Sequence, residues 1–104
     1  MKIVSIFQNA VAQAVERLYG EPVDLNKVQV NPTPPDFTGD YSVVIFPFVK
    51  LAKKAPDVVA AEIGSFLQER LPQVKVYNVV KGFLNLEIVD AFWLDFLQSV
   101  VMNP

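Results

Sequence analysis

The residues with the clearest potential for chemistry lie in the stretch VVKGFLNLEIV, which has the alternating pattern of a β-strand. Successive side chains of a strand point to opposite faces, so Leu84, Leu86 and Ile88 are predicted to form a core face. Phe83 and Asn85 then lie together on the other face. An exposed aromatic ring can stack on an unpaired nucleobase, and a neighbouring carboxamide can hydrogen-bond to the edge of that base. An exposed phenylalanine on a sheet is more often a packing element or a contact with a protein partner.

Charge and residue types narrow the possible chemistry. The 104 residues include no cysteine and no histidine, which excludes disulfides, thiolate metal sites and histidine-based proton transfer. A formal net charge of −2 gives the chain as a whole no general attraction for nucleic acid. Positive charge is nevertheless concentrated in Lys50, Lys53 and Lys54, and again in Lys75 and Lys81. These lysines are candidates for phosphate contact, although cations are also typical of a solvated helix C-terminus.

Paired carboxylates offer a second kind of chemistry, that of a small enzyme. Asp36 and Asp40 lie in the segment NPTPPDFTGD, where acidic residues are usually turn formers. The remaining acids are scattered without a recognisable ligand spacing. We therefore predict neither catalytic residues nor a metal site in this chain.

The elements that must position these residues follow from periodicity and turn signals. Apolar residues at three- and four-residue spacing predict helices over residues 2–19 and 56–71. Val28 and Val30 indicate a short strand. Residues 42–46 are predicted to be extended and residues 47–54 helical. The sequence does not fix the residue at which the strand ends and the helix begins, and a helical conformation of residues 42–46 is the alternative.

The second half of the chain is predicted to contain a hairpin. Val74, Val76 and Val79 alternate with polar residues, and a short turn at Lys81 and Gly82 leads into a strand over residues 84–89. A final helix is predicted from Asp90, with a broad apolar face. This face consists of Phe92, Trp93, Phe96, Leu97, Val100 and Val101.

This order predicts an α+β fold for a single domain of residues 1–104: helix, strand, an optional second strand, helix, helix, strand, strand, helix. A small antiparallel sheet of three or four strands would carry helices on one face and stay partly open on the other. Phe83, Asn85 and Glu87 would lie on the open face, with Tyr77 as a possible neighbour. The first residues are too polar for a signal peptide or a membrane span, so we expect a soluble, cytoplasmic protein.

Three segments in consistent order resemble the N-terminal additional domain of bacterial arginyl-tRNA synthetases. They are GDYS, KLAKKAPDVVAAEIGSFL and VKGFLNLEI. That family typically shows a Gly-Asp-Tyr turn, a Leu-Ala-Lys-Lys helix, a helix with a Pro-x-x-Ala-x-x-Ile pattern and a Gly-Phe-Ile-Asn strand. The sequence departs from the pattern at Val44, where asparagine is usual, at Lys81, where proline is common, and in a slightly longer segment before the lysine pair.

The resemblance implies a domain that binds the D-loop corner of tRNA-Arg. Phe83 and Asn85 match the aromatic and the amide that contact a D-loop base in the family. Lys81, Lys53 and Lys54 are then candidate phosphate contacts. Tyr41 and Asp40, in the Gly-Asp-Tyr turn, match residues to which we assign mainly a structural role, with a lesser expectation of tRNA contact.

The same resemblance implies that the fragment is part of a longer chain, an ATP-dependent arginine-tRNA ligase whose class I catalytic domain uses ATP and arginine. The class I signatures His-Ile-Gly-His and Lys-Met-Ser-Lys-Ser are missing from these 104 residues, so we expect no catalytic residue and no cofactor here. The expected partners are tRNA-Arg and the catalytic domain of the same chain, without a membrane. The alternative is a protein-interaction module that docks through the open sheet face, with Phe83 and Tyr77 as anchors.

Overall fold

The computed structural model describes residues 2–89, and the order of their helices and strands follows the prediction. The helices are α1 (Lys2–Tyr19), α2 (Phe46–Ala52) and α3 (Pro56–Arg70), and the strands are β1 (Val30–Pro32), β2 (Tyr41–Val44), β3 (Val74–Val80) and β4 (Phe83–Ile88). A short 3₁₀ turn, Leu25–Lys27, leads from α1 to β1. The predicted helix that begins at Asp90 lies outside the described residues.

The four strands form one antiparallel sheet in the order β1-β2-β4-β3. β3 and β4 are the predicted hairpin, and β2 pairs with the other edge of β4. α1 and α3 pack against one face of this sheet. The predicted α+β class, with a small antiparallel sheet and helices on one face, is confirmed.

The core lies between the helices and the sheet face that they cover. The apolar set that alternation assigned to the core in β4 is buried there. The core includes Phe7, Val11 and Val15 from α1, Ile63 and Leu67 from α3, and Val30, Val43, Leu84, Leu86 and Ile88 from the strands.

Local signals explain where the long helices begin and end. α1 ends at Tyr19, and the φ of 75° at Gly20 and the bond from its N–H to the carbonyl of Glu16 (2.8 Å) are typical of a left-handed C-terminal cap. α3 begins at Pro56, because proline at the first helical position has no N–H that would need a partner.

The switch from β2 to α2 lies slightly earlier than predicted. β2 ends at Val44, the last residue that pairs with β4, and α2 begins at Phe46 with Pro47 in its first turn. The helix ends at Ala52, before the predicted Lys54, because Lys53 takes a left-handed conformation with φ of 56°. The short strand expected at Val28 and Val30 is likewise displaced, to Val30–Pro32.

The predicted position of Tyr77 on the open face is wrong. A register shift between Val74 and Val76 changes the alternation in β3, so Tyr77 lies opposite Leu86. Tyr77 is therefore on the helix-covered face, where its ring packs against Gly64 of α3. Among residues 2–89, no helix combines the length and apolar character needed to cross a membrane.

Candidate functional site

Phe83 lies on the sheet face opposite the helices, as predicted, and 41% of its surface is exposed. The register places Phe83 beside Val44 and Val80, and Asn85 beside Ser42, on this same face. We call this surface, formed by Ser42, Val80, Phe83 and Asn85, the distal face. The ring is thus available for contact from outside the domain.

The expectation of an exposed Asn85 is wrong, because only 2% of its surface is accessible. The segment of residues 33–39, which we call the proline loop, folds over this residue. A Cβ atom added to Gly39 would lie 3.1 Å from the Cβ of Asn85. Below the loop, Ser42 Oγ donates a hydrogen bond of 2.6 Å to Asn85 Oδ1, and Thr33 Oγ1 lies 3.0 Å from Ser42 Oγ. Asn85 is therefore a fixed polar group and not a surface amide.

Asp40 anchors the C-terminal end of the proline loop to β4. Its N–H donates to the carbonyl of Leu86 (2.8 Å), and its Oδ2 accepts from the N–H of Ile88 (2.8 Å). Its own carbonyl accepts from the N–H of Thr33 (3.2 Å), which closes the loop. These contacts give Asp40 the structural role expected for it, while Asp36 lies exposed within the loop. The described residues contain no group of three or more acidic, histidine or cysteine side chains that could hold a metal ion.

A cavity of about 240 Å³ lies where the proline loop meets the distal face. It is lined by Asn31, Pro32, Pro34, Phe37, Ser42, Val80, Phe83 and Asn85. Two aromatic rings and several apolar side chains therefore surround two carboxamides, those of Asn31 and Asn85, and one hydroxyl, that of Ser42. Phe37 is not among the site residues predicted from the sequence, because the residues around it are turn formers. A lone aromatic residue within a proline-rich loop was the available clue.

Lys81 lies in the turn that leads into Phe83. Both turn residues have positive φ, 42° at Lys81 and 83° at Gly82, as in a two-residue type I′ hairpin. The ring of Phe46 covers Gly82 so closely that a Cβ atom there would overlap the ring. A proline at position 81 would be fixed near φ of about −65° and could not adopt this turn. The lysine at position 81, where proline is common in the family, is compatible with this turn.

Lys54 takes part in a cluster away from the distal face. Its Nζ lies 2.7 Å from Glu62 Oε2 and 5.8 Å from the centre of the Tyr19 ring, and the Tyr19 hydroxyl donates to Glu62 Oε1 (2.7 Å). The hydrogen bond from Lys54, supported by that from Tyr19, lowers the pKa of Glu62. Burial, together with Glu62, raises the pKa of Tyr19 well above its ordinary value. Lys54 therefore links the end of α2 to α1 and α3.

This cluster predicts a loss of stability at both ends of the pH range. The lowered pKa of Glu62 stabilises the fold above the ordinary value of 4.5, and this contribution disappears as the pH falls below it. The raised pKa of Tyr19 stabilises the fold below the ordinary value of 10.0, and this contribution disappears as the pH rises further. The free energy of unfolding, measured by urea titration across pH, should therefore fall on both sides.

Glu62→Gln should flatten the acid limb, because it removes the titrating carboxylate, and should reduce only part of the alkaline limb, because burial is the larger cause of the raised pKa of Tyr19. Glu69→Gln, an exposed change on the same helix, serves as the control. Profiles for wild type and Glu62→Gln that run parallel at all pH values would contradict the role of the cluster.

The remaining candidates are spread over the domain. Tyr41 is half-buried on the helix-covered face and meets the ring of Phe7 edge-on, with the ring centres 5.9 Å apart. It therefore does not join Phe83. Lys53 is exposed at the end of α2, Lys50 is exposed within it, and Lys75 is exposed on β3. The structure thus brings together Phe83, Asn85 and, through the turn, Lys81.

Comparisons with a family model and with curated proteins both point to arginyl-tRNA synthetases. Residues 5–88 match the family model described as the arginyl tRNA synthetase N terminal domain. The chain is 40% identical over 105 residues to an arginine–tRNA ligase of Phocaeicola vulgatus, which covers 100% of this chain and 17% of that protein. It is also 34% identical over 103 residues to an arginine–tRNA ligase of Amoebophilus asiaticus, with 99% of this chain and 17% of that protein covered.

A solved structure shares the fold. The arginyl-tRNA synthetase of Thermus thermophilus aligns with a TM-score of 0.69 and 29% sequence identity, over 88% of this chain and 15% of that chain. The chain therefore spans less than a fifth of the length of the relatives that it matches. Since the family model covers most of the described residues and the match extends over the whole chain, this protein belongs to the family of arginyl-tRNA synthetase N-terminal domains.

Proposed function

We propose that residues 1–104 form the tRNA-binding domain of a longer arginine–tRNA ligase, and that the distal face binds the D-loop corner of tRNA-Arg. The observation that carries this proposal is the exposed ring of Phe83 beside a cavity, on the sheet face opposite α1 and α3. Proteins usually recognise RNA loops by stacking unpaired bases on such rings and by hydrogen bonds to the base edges.

The burial of Asn85 gives it a more specific part in base recognition. Its Oδ1 is held by Ser42, so its rotamer is fixed before any ligand arrives. The carboxamide NH₂ carries two donor hydrogens, and we assign this group to the base edge. Asn85 then contacts a base that enters the cavity, while Phe83 stacks on its face.

The lysines differ in what they can contribute to phosphate binding. Lys81 is exposed and lies two residues before Phe83, which makes it the best candidate. Lys53 is exposed at the far end of α2, roughly 10 Å along the helix axis from Phe46, and is suited to a second phosphate. Lys54 would have to leave Glu62, and Tyr41 lies on the other face, so both are weaker candidates.

In this proposal the remainder of the longer protein contains the catalytic domain, which binds ATP and arginine and is the second partner of the domain. The relatives that match are named arginine–tRNA ligases, which supports the same activity for the parent protein. We place the parent protein in the cytoplasm, where translation takes place.

Phe83→Ala should weaken the binding of tRNA-Arg by full-length protein about 5- to 150-fold, because one base loses its stacking partner. The measurement is a titration of a tRNA-Arg transcript at fixed salt concentration. Leu25→Ala, which shortens an equally exposed apolar side chain outside the cavity, is the control and should bind like wild type. Equal affinities for Phe83→Ala and wild type would rule out base stacking at this position.

The same titration tests Asn85 with a matched control. Asn85→Ala and Ser42→Ala both remove the buried hydrogen bond between these residues, but only Asn85→Ala removes the amide donors. Asn85→Ala should therefore weaken binding more than Ser42→Ala does. Equal losses would assign Asn85 a purely structural role.

The alternative, a protein-docking surface, is less well supported because one of its two anchors, Tyr77, packs against α3. It predicts that tRNA affinity is independent of Phe83. Phosphate contacts by lysines, by contrast, predict that affinity falls steeply with salt concentration.

A further inference from the structure

The proline loop places a second aromatic ring at the cavity. Phe37 is 47% exposed, and it lines the same cavity as Phe83. Among the described residues, three phenylalanines are exposed to this degree, and the third, Phe46, covers the hairpin turn. Two of these three rings, those of Phe37 and Phe83, therefore line the same cavity.

The proline loop is held in position before any ligand binds. Pro34 and Pro35 restrict its backbone, and the N–H of Phe37 donates to the carbonyl of Pro34 (3.0 Å). The N–H of Thr33 bonds to Asp40, and its hydroxyl bonds to Ser42, which fixes the start of the loop to the sheet. A loop that is already fixed in this way loses little conformational entropy when a ligand enters the cavity.

The size and lining of the cavity limit what it can accept. A volume of about 240 Å³ is smaller than the range of about 300–1,000 Å³ found for pockets that enclose drug-sized ligands. Apolar walls with two side-chain amides and one hydroxyl suit a flat, uncharged ring with polar edges. One nucleobase has these properties, whereas a base pair or a phosphate does not.

We propose that Phe37 is the second wall of a base pocket, so that one unpaired D-loop base is enclosed between Phe37 and Phe83. This inference rests on the proposed function, and it adds a specificity-determining residue from the loop that follows β1. The base leaves its own loop and enters the cavity instead of lying on an open surface.

The test uses full-length protein and tRNA-Arg transcripts in which 2-aminopurine replaces each unpaired D-loop base in turn. Stacking quenches the fluorescence of this base analogue. With wild-type protein, one transcript should lose fluorescence on binding, and Phe37→Ala should restore part of it. Phe37→Ala should also weaken binding about 5- to 150-fold, as expected for the loss of one stacking partner. Phe37→Tyr keeps the ring and should behave like wild type.

The outcomes separate this inference from the proposed function. If Phe83→Ala weakens binding but Phe37→Ala changes neither affinity nor fluorescence, Phe37 does not contact the base. Base stacking on Phe83 would then still be supported. If wild-type protein does not bind tRNA-Arg, the proposed function fails, and the inference fails with it. Leu25→Ala is again the control, and equal losses for it and Phe37→Ala would show a non-specific effect and overturn the inference.

Discussion

Phe7→Ala is expected to lower the free energy of unfolding of this chain by about 3–5 kcal/mol, the usual cost of removing a buried aromatic ring. Phe7 is completely buried between α1 and the sheet, and it meets the ring of Tyr41 edge-on. Truncation leaves a cavity that the rigid strands cannot fill by moving. A domain of this size has a total stability of roughly 5–15 kcal/mol, so the loss is a large part of the whole.

Urea unfolding followed by far-ultraviolet circular dichroism measures this effect as a lower midpoint with an unchanged slope. Leu25→Ala provides the control, since that side chain is 41% exposed and its truncation should change stability little. A loss below about 1 kcal/mol would contradict the central packing role assigned to Phe7.

The position of Phe7 also connects stability to the distal face. Its partner Tyr41 is the first residue of β2, and β2 pairs along β4, which carries Phe83 and Asn85. A change at Tyr41 can therefore affect the position of Phe83 and Asn85 through the strand that it anchors.

Gly64→Val should destabilise the chain by about 2–3 kcal/mol, toward the upper end of the usual cost of overpacking. A Cβ atom at this position would lie 2.6–2.9 Å from three ring atoms of Tyr77. The ring cannot move aside easily, because Tyr77 belongs to β3 and its hydroxyl bonds to Ser65 Oγ (2.8 Å). Replacing a helical glycine improves helix propensity by less than about 1 kcal/mol, which offsets only part of this cost.

Ala61→Val is the matched control for this change. Ala61 lies one turn earlier in α3 and lines an open groove, so valine there adds a β-branched side chain to the helix without a clash and should cost less than about 1 kcal/mol. The double variant Gly64→Val/Tyr77→Ala should cost less than the sum of the two single changes, since removing the ring also removes the clash. Strictly additive losses in urea unfolding would show that the close approach to Tyr77 is not the cause.

Much of the fold could be predicted from the sequence because its signals are local. The apolar periodicity of residues 2–19 and 56–71 reflects a helix face, and alternation in β4 separates Leu84 from Phe83 without knowledge of any neighbour. The exposed side of Phe83 follows from the same argument. α2 was predicted to end at Lys54 but ends two residues earlier, at Ala52. Lys53 takes a left-handed conformation there, and a lysine, unlike a glycine, does not indicate such a conformation in the sequence.

The sequence by itself determined the helices, the hairpin and the sheet face on which Phe83 lies, since each depends on the spacing of apolar residues within one segment. Only the tertiary structure decided that Asn85 is buried, that Phe37 shares its cavity and that Tyr77 faces α3. The first two depend on where the proline loop folds, and the third on a register shift in β3. Both are set by contacts between segments far apart in the chain, and such contacts leave no periodic pattern in the residues themselves.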